Sequence, residues 1–167
     1  MSQIGGYVEW NFKPGLREHE LVKIIQDMYS VKPPPYLLVI HCGGNGLGQA
    51  PVGHIQKLMK LNIEDIRNLL PMTRIVFSAI LPRLKYRNEL NHVKLDKARK
   101  RLNTTLFSIC IKSGGGYIRY PEITENQELF RDFVHLSNKG LEIMSEHMCN
   151  ALLTFCQYDS VSLCYPS

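Results

Sequence analysis

The sequence contains no apolar run long enough to cross a bilayer, since its best run, 36–42, has only the length of a strand. Its first ten residues, MSQIGGYVEW, also lack the charged start and apolar centre of a signal peptide. These absences predict a cytoplasmic protein without a membrane partner. The remaining length and a hydrophobic content of 44% suit one core, so we expect a single domain over 1–157 and a C-terminal tail, 158–167.

The five cysteines are odd in number and include no Cys-x-x-Cys pair. This argues against a disulfide framework and against a structural zinc site, and we expect neither a metal nor a cofactor. Reduced and mostly buried thiols are the interpretation that remains. Cys149 and Cys156 lie seven residues apart on a predicted helix, so both are expected in the core.

Basic residues exceed acidic ones, which gives a net charge of +5, and part of the excess lies in KLDKARKR, 94–101. Lys97, Lys100 and Arg101 of this run could hold the phosphates of RNA or DNA. A charged run on a helix is more often a solvated outer face, and no aromatic residues interleave with these charges as a stacking surface would need. Both interpretations stay open at this point.

Segments typical of strands and helices alternate along the chain. The strand-like segments are 7–10, 36–42, 74–81 and 117–120, and helical spacing of apolar residues predicts helices around 21–28, 55–70, 95–109 and 141–155. The run 36–42 is continuously apolar, as in strands buried on both faces. The order predicts an α/β three-layer αβα sandwich with a flavodoxin-like parallel sheet, in which ligands bind beyond the carboxyl ends of the strands.

The sequence Gly43-Gly44-Asn45 follows the buried strand at 36–42. Two glycines allow a sharp turn and a close approach to a ligand, and the asparagine amide can donate a hydrogen bond to a developing oxyanion. The same residues also form an ordinary turn, which needs no function. On local sequence the turn is the simpler interpretation.

A second motif lies ninety residues later, where Asp132 precedes His135 by three positions. An aspartate at this distance can bind one imidazole nitrogen, fix the tautomer and leave the other nitrogen as a base. A surface pair at the start of a helix would show the same spacing, because an acidic residue is favourable there. The predicted topology brings this motif to the same edge of the sheet as Asn45.

Together these motifs resemble the SGNH (GDSL-type) hydrolases. LLVIHCGGNGLG, FSAILPR, LDKARKRLN and RDFVHLSNKG are similar to esterase-like domains of vertebrate retroelement-derived proteins, over about residues 7–155. The resemblance implies a serine esterase without a cofactor. It implies Asn45 and Gly15 as oxyanion donors, Gly43 and Gly44 as support for their loop, and Asp132 with His135 as the catalytic pair.

The resemblance also implies an upstream strand ending in Gly-Asp-Ser, and the 167 residues contain no such motif. Ser2 has no strand before it, Ser78 is expected inside a strand, and Ser137 is expected to cap the last helix. Cys42 lies in the apolar run, where a thiol is not activated. None of these four residues is therefore expected to be the nucleophile.

Two further expectations follow from the resemblance. The absent strand would be central, between 7–10 and 36–42, so its absence predicts unpaired strand edges and self-association. The family usually has aspartate after the asparagine, whereas this chain has Gly46, which predicts a looser Asn45.

Three functions remain open on these grounds. The chain is an acyl-ester hydrolase domain by ancestry, inactive as written; or a non-catalytic binding module of a retroelement-derived protein, with nucleic acid as the first partner to test; or a flavodoxin-like domain of unrelated function.

Overall fold

The structure is a computed structural model that describes residues 6–86, 91–158 and 162–167. In these ranges the regular elements are α1 (Leu21–Tyr29), β1 (Leu37–Ile40), α2 (Val52–Leu69), β2 (Arg74–Ser78), α3 (His92–Lys112), β3 (Gly116–Ile118), α4 (Asn138–Gln157) and β4 (Leu163–Tyr165), with short 3-10 turns at Glu18–Glu20 and Gln127–Leu129. None of the helices in the described part of the chain is long and apolar enough to cross a bilayer.

The strands form one sheet in the order β1-β2-β3-β4, and every neighbouring pair is parallel. A helix separates each strand from the next along the chain, because parallel neighbours need a long crossover. The predicted α/β fold with a parallel sheet is therefore confirmed.

Helices cover both faces of this sheet. Successive strand residues point to opposite faces, so Gly116 and Tyr117 identify the two sides. The Tyr117 ring packs edge-on against Phe107 of α3, with centroids 5.6 Å apart. The other side belongs to α4, because a Cβ on Gly116 would lie 3.1 Å from the Phe155 ring. Since α2 packs on α3 and α1 packs on α2, three helices form one layer and α4 forms the other.

The predicted strand at 7–10 is wrong. No strand is present there, and Tyr7, Trp10 and Phe12 have 89%, 75% and 89% of their surface exposed. A strand needs a neighbour to accept its backbone hydrogen bonds, and the described chain places none beside this segment.

The prediction that 36–42 is buried on both faces is also wrong. β1 pairs only with β2, and Leu37, Leu38 and Val39 are half-buried. The reason is that β1 forms the edge of the sheet, while α4 packs on β3 and β4. The edge of β1 that faces away from β2 carries no partner strand in the described part of the chain.

The C-terminal segment contains a strand that the sequence analysis did not assign, because β4 lies within 158–167. The helix predicted around 141–155 is α4, although Leu141 near its start is 50% exposed, and the Ser137 side chain caps the helix as predicted by accepting from the Gly140 amide. The placement of Cys149 in the core is wrong. Its thiol is exposed, and of the five free cysteines only Cys42 and Cys110 are fully buried.

Candidate functional site

The loop after β1 turns sharply at Gly43, which has a φ of +106°. Side chains other than glycine rarely adopt this value. A Cβ at Gly43 would also lie 2.8 Å from Cδ1 of Ile80, so the loop packs directly on the chain that follows β2. Gly44 is equally tight, with Nη2 of Arg83 3.0 Å from the position of its missing Cβ. Both glycines therefore occupy closely packed positions just before Asn45, and their role as its support stays a prediction.

Asn45 is half-buried and is held through both ends of its amide. Its Nδ2 donates to the main-chain oxygen of Leu16 at 3.1 Å, and its Oδ1 accepts from Nη2 of Arg83 at 3.0 Å. A guanidinium on the oxygen of an amide withdraws electron density from it and makes the nitrogen a stronger donor. One N–H of this amide is engaged by Leu16, and donation of the other to an oxyanion stays a prediction.

Arg83 lies on the segment that follows β2, and side chains of α3 hold this segment. The main chain of Ile80 is bound on both sides by Asn103 of α3, with its N–H donating to Oδ1 and its oxygen accepting from Nδ2, each at 2.9 Å. Arg99 donates a further bond of 3.0 Å to the same oxygen. Sequence reasoning missed this clamp, because nothing in the pattern of α3 distinguishes Asn103 from a surface polar residue.

Asp132 and His135 form the predicted pair. The aspartate Oδ2 lies 2.8 Å from Nδ1 of the imidazole, and Oδ1 accepts from the main-chain amides of Val134 and His135 at 2.7 Å each. These two backbone bonds, with the imidazole bond behind them, hold the pKa of Asp132 well below its usual range. The carboxylate is therefore charged and fixed, and it orients the ring through Nδ1, so that Nε2 lies on the side of the ring away from the aspartate. Both side chains are exposed.

The two motifs meet on the short segment 83–85. Arg83 bonds to Asn45, and the next two amides, of Leu84 and Lys85, donate to the main-chain oxygen of Phe133 at 2.9 and 3.2 Å. Phe133 lies between the aspartate and histidine of the pair. The loops from β1 and from the start of α4 are thus tied to one segment at the carboxyl ends of the strands, where the sequence predicted a site.

Gly15, the predicted glycine donor, precedes the residue whose main-chain oxygen binds Asn45. Gly15 is exposed, and its neighbour Leu16 supplies the main-chain oxygen that Asn45 binds. This contact brings the 15–16 segment to the asparagine. The donation of the Gly15 amide to a ligand stays a prediction.

The structure shows what stands beside Gly46, where the resemblance expects aspartate. The carboxylate of Glu18 fills the space that a side chain at this position would take, with Oε1 2.3 Å from the position of the missing Cβ. The expectation of a looser Asn45 stays a prediction, and in the structure the Asn45 amide makes two hydrogen bonds.

Ser78 belongs to a polar chain that sequence reasoning did not find. Its Oγ lies 2.9 Å from Nδ1 of His41 and 2.7 Å from the hydroxyl of Tyr120. The three residues follow or end β1, β2 and β3, so a register of the strands would have been needed to bring them together. Ser78 has none of its surface exposed, and burial raises the pKa of Tyr120 to about 12. These hydrogen bonds satisfy buried hydroxyls. Because Ser78 is fully buried, a substrate has no access to it.

The remaining nucleophile candidates also have structural roles. Burial raises the pKa of the Cys42 thiol to about 12, so it stays protonated at neutral pH. Ser137 Oγ donates to the main-chain oxygen of Glu128 while it caps α4. Ser2 lies outside the described residues.

Only part of the basic run faces solvent, since Leu95 and Asp96 are buried and Arg99 binds the main-chain oxygen of Ile80. Lys97, Lys100 and Arg101 are exposed, and Nζ of Lys100 forms an ion pair of 2.8 Å with Asp96. In the part of the chain that is described, no group of three or more histidine, cysteine, aspartate or glutamate side chains could hold a metal ion.

Comparison with known proteins places this fold among esterases. No family model and no curated protein matches the chain. A GDSL-like lipase from Bacteroides thetaiotaomicron is 16% identical with a TM-score of 0.67, over 84% of this chain and 72% of that one. A family 3 carbohydrate esterase from Talaromyces cellulolyticus is 14% identical with a TM-score of 0.66, over 95% and 79%.

The family 3 carbohydrate esterase of Clostridium thermocellum is similar to the same degree, with 14% identity and a TM-score of 0.66 over 87% of this chain and 69% of that one. At these identities the property that the chain shares with the three proteins is the fold. The fold is thus the α/β fold of GDSL-like lipases and esterases.

Replacing His135 with alanine is expected to raise the pKa of Asp132 part of the way to its ordinary value. The imidazole bond is lost, while the two backbone bonds to the carboxylate remain. A group with a lowered folded-state pKa stabilises the fold above its unfolded pKa and loses this effect as pH falls through the folded one. The variant should therefore lose the contribution at higher pH than wild type. Carboxyl ¹³C NMR titration measures the midpoint directly.

Arg131→Ala is the matched control, because its guanidinium lies 4.0 Å from the same carboxylate and is largely exposed. It should leave the Asp132 midpoint nearly unchanged. An unchanged midpoint in His135→Ala would show that the pair does not form in solution.

Proposed function

We propose that the chain is an SGNH (GDSL-type) acyl-ester hydrolase domain, related to the esterase-like domains of vertebrate retroelement-derived proteins. The nucleophilic serine is supplied by an upstream Gly-Asp-Ser block that these 167 residues do not contain. The observation that carries the proposal is the segment 83–85, which binds both the Asn45 loop and the Asp132–His135 loop at the carboxyl ends of the sheet. The likeness of the fold to GDSL-like lipases and esterases supports it.

The chemistry follows from the roles of these side chains. The serine hydroxyl attacks the ester carbonyl carbon while Nε2 of His135 takes its proton, and Asp132 holds the imidazole through Nδ1. Negative charge forms on the former carbonyl oxygen, where Asn45 Nδ2 and the Gly15 amide donate. The protonated imidazole then gives its proton to the leaving alcohol, and water releases the acid from the acyl-enzyme by the reverse sequence.

The 167 residues alone are proposed to be inactive. Ser78 is fully buried and Cys42 is protonated, so neither can replace the serine. The unpaired edge of β1 is where an upstream strand would bind, and without one this edge is free to pair with a second copy. The free cysteines support a reducing compartment such as the cytoplasm.

In a form of the protein that carries the Gly-Asp-Ser block, His135→Ala should lower kcat for p-nitrophenyl acetate by about 10²–10⁴-fold, because the general base is lost. Asn45→Ala should cost about 10²–10³-fold through loss of an oxyanion donor. His54→Ala, which changes an exposed histidine on α2, is the control and should retain activity. Retained turnover in His135→Ala would refute the assignment.

The chain of 167 residues allows a complementary measurement. A fluorophosphonate probe labels activated serines, and mass spectrometry locates the adduct. We expect labelling of the Gly-Asp-Ser serine in the longer form and none in the 167 residues. An adduct on Ser78 would contradict the proposal and identify the Ser78–His41 pair as the nucleophilic site.

A second candidate is a non-catalytic module that binds RNA or DNA through α3. The observation that favours it is the exposed position of Lys97, Lys100 and Arg101 on one helix of a basic chain. Phosphate contacts of this kind release counterions from the nucleic acid. Because this release gains less free energy at high salt, the affinity falls as the salt concentration rises.

Charge reversal at these three positions should weaken binding of a single-stranded RNA and flatten its dependence on salt, measured by fluorescence anisotropy at several salt concentrations. The control reverses three exposed charges on α2, at Lys57, Lys60 and Arg67, and so changes the net charge equally. Equal losses in both triple variants, or none in the α3 variant, would rule out binding by this patch.

A further inference from the structure

Glu18 is a buried acidic residue outside the proposed catalytic group. It opens the 3-10 turn before α1, and only 3% of its surface is exposed. Charged groups are costly to bury, and Oε1 has no hydrogen-bond partner among the described residues. Its Oε2 forms an ion pair with Arg17, whose Nε lies 3.6 Å away. Hydrogen bonds of its own therefore do not explain where Oε1 of Glu18 lies.

The carboxylate is packed against the residue that follows Asn45. A Cβ on Gly46 would lie 2.3 Å from Oε1 and 2.7 Å from both Cδ and Oε2 of Glu18. Atoms do not approach so closely, so a side chain at position 46 and the carboxylate at position 18 exclude one another. Gly46 does not lie in the left-handed region, and the carboxylate is thus the obstacle to a side chain there.

Two contacts hold the main chain around Glu18. Its main-chain oxygen accepts from Nδ2 of Asn62, a buried residue of α2, at 2.6 Å. The preceding amide, of Arg17, donates to the Glu20 carboxylate at 2.8 Å, which closes the turn on itself. The main chain that carries the carboxylate is therefore held beside the loop by hydrogen bonds.

The same segment holds Asn45 directly, because the oxygen of Leu16 accepts from its Nδ2. Residues 16–18 thus touch the loop at two successive positions, by a hydrogen bond at Asn45 and by packing at Gly46. Movement of the loop toward α1 would bring it against the carboxylate, while movement away would break the bond to Leu16.

We propose that Glu18 is a positioning residue for Asn45, with its carboxylate packed into the space left by Gly46 so that the Asn45 amide keeps one orientation. The contact stands on the geometry alone, and its catalytic meaning rests on the proposed hydrolase function. Glu18 supplies from another segment the bulk that a side chain at position 46 would otherwise supply within the loop.

A double-variant cycle tests the shared space. Gly46→Ala should lower Tm by about 3–10 °C, because its Cβ meets the carboxylate. Glu18→Ala removes the obstacle, so the double variant should melt near Glu18→Ala alone. Gly43→Ala is the control: its Cβ meets Ile80 and its φ is strained, so Glu18→Ala should not relieve it. Additive losses for Gly46→Ala and Glu18→Ala would overturn the proposal.

The orientation of Asn45 is followed by the ¹H–¹⁵N resonances of side-chain amides. Glu18→Ala should shift or broaden the Asn45 Nδ2 resonances and leave those of Asn62 and Asn103 in place, since Asn62 binds the main chain of Glu18 and Asn103 binds Ile80. Glu18→Gln, which keeps the volume, should leave Asn45 near its wild-type position. Movement of all three amides together would mean a general loosening, and movement of none would mean no positioning. Either result overturns the proposal.

If Glu18→Ala is too unstable, Gly46→Ala and the double variant carry the same measurement from the other side of the contact. Asn45 should move in the first and return in the second. Neither readout uses ester hydrolysis. Failure of the positioning role is therefore distinguishable from failure of the hydrolase, which is decided by the kinetics of His135→Ala.

Discussion

The hydrogen bond from Arg83 to Oδ1 of Asn45 is the contact on which the site depends. Arg83 can make it because Asn103 and Arg99 of α3 fix the main chain of Ile80 just before it. The amides that follow Arg83 bind the loop that carries Asp132 and His135. One helix therefore determines the positions of two loops that lie ninety residues apart in sequence. The asparagine nitrogen is left facing the Leu16 segment, with its donor strength raised by the cation behind its oxygen.

The sheet imposes the second constraint, because β1 is an edge strand with half-buried side chains. In a parallel sheet a strand of this composition is normally covered on both faces. Here α4 packs on β3 and β4, and the second edge of β1 has no partner strand in the described part of the chain. An edge of β1 without a partner in the described chain is the arrangement expected if, as proposed, one further strand brings the nucleophile. If that further strand lies between 7–10 and β1, its absence also explains why 7–10 has no partner strand in the described chain.

The fold followed from periodicity, since the apolar stripes placed α1, α2, α3 and α4 and the apolar runs placed β1 and β2. Asn45, Asp132 and His135 were predictable because motif and topology agree on one edge of the sheet. The contact of Glu18 with Gly46 was not, because it joins segments that only the tertiary structure brings together. The strand at 7–10 failed since strand propensity does not supply a neighbour, and β4 was missed because three residues carry too little pattern. The exposure of Cys149 shows that a shared helical face does not decide which of its positions the core covers.

The most direct measurement is the intact mass of the native protein together with the sequence of its N-terminal peptide. A hydrolase domain that receives its nucleophile from an upstream strand predicts additional residues before Met1, among them a strand ending in Gly-Asp-Ser. A native protein that begins at Met1 would contradict this. Asn45, Asp132 and His135 would then form an oxyanion and proton-transfer site without a nucleophile.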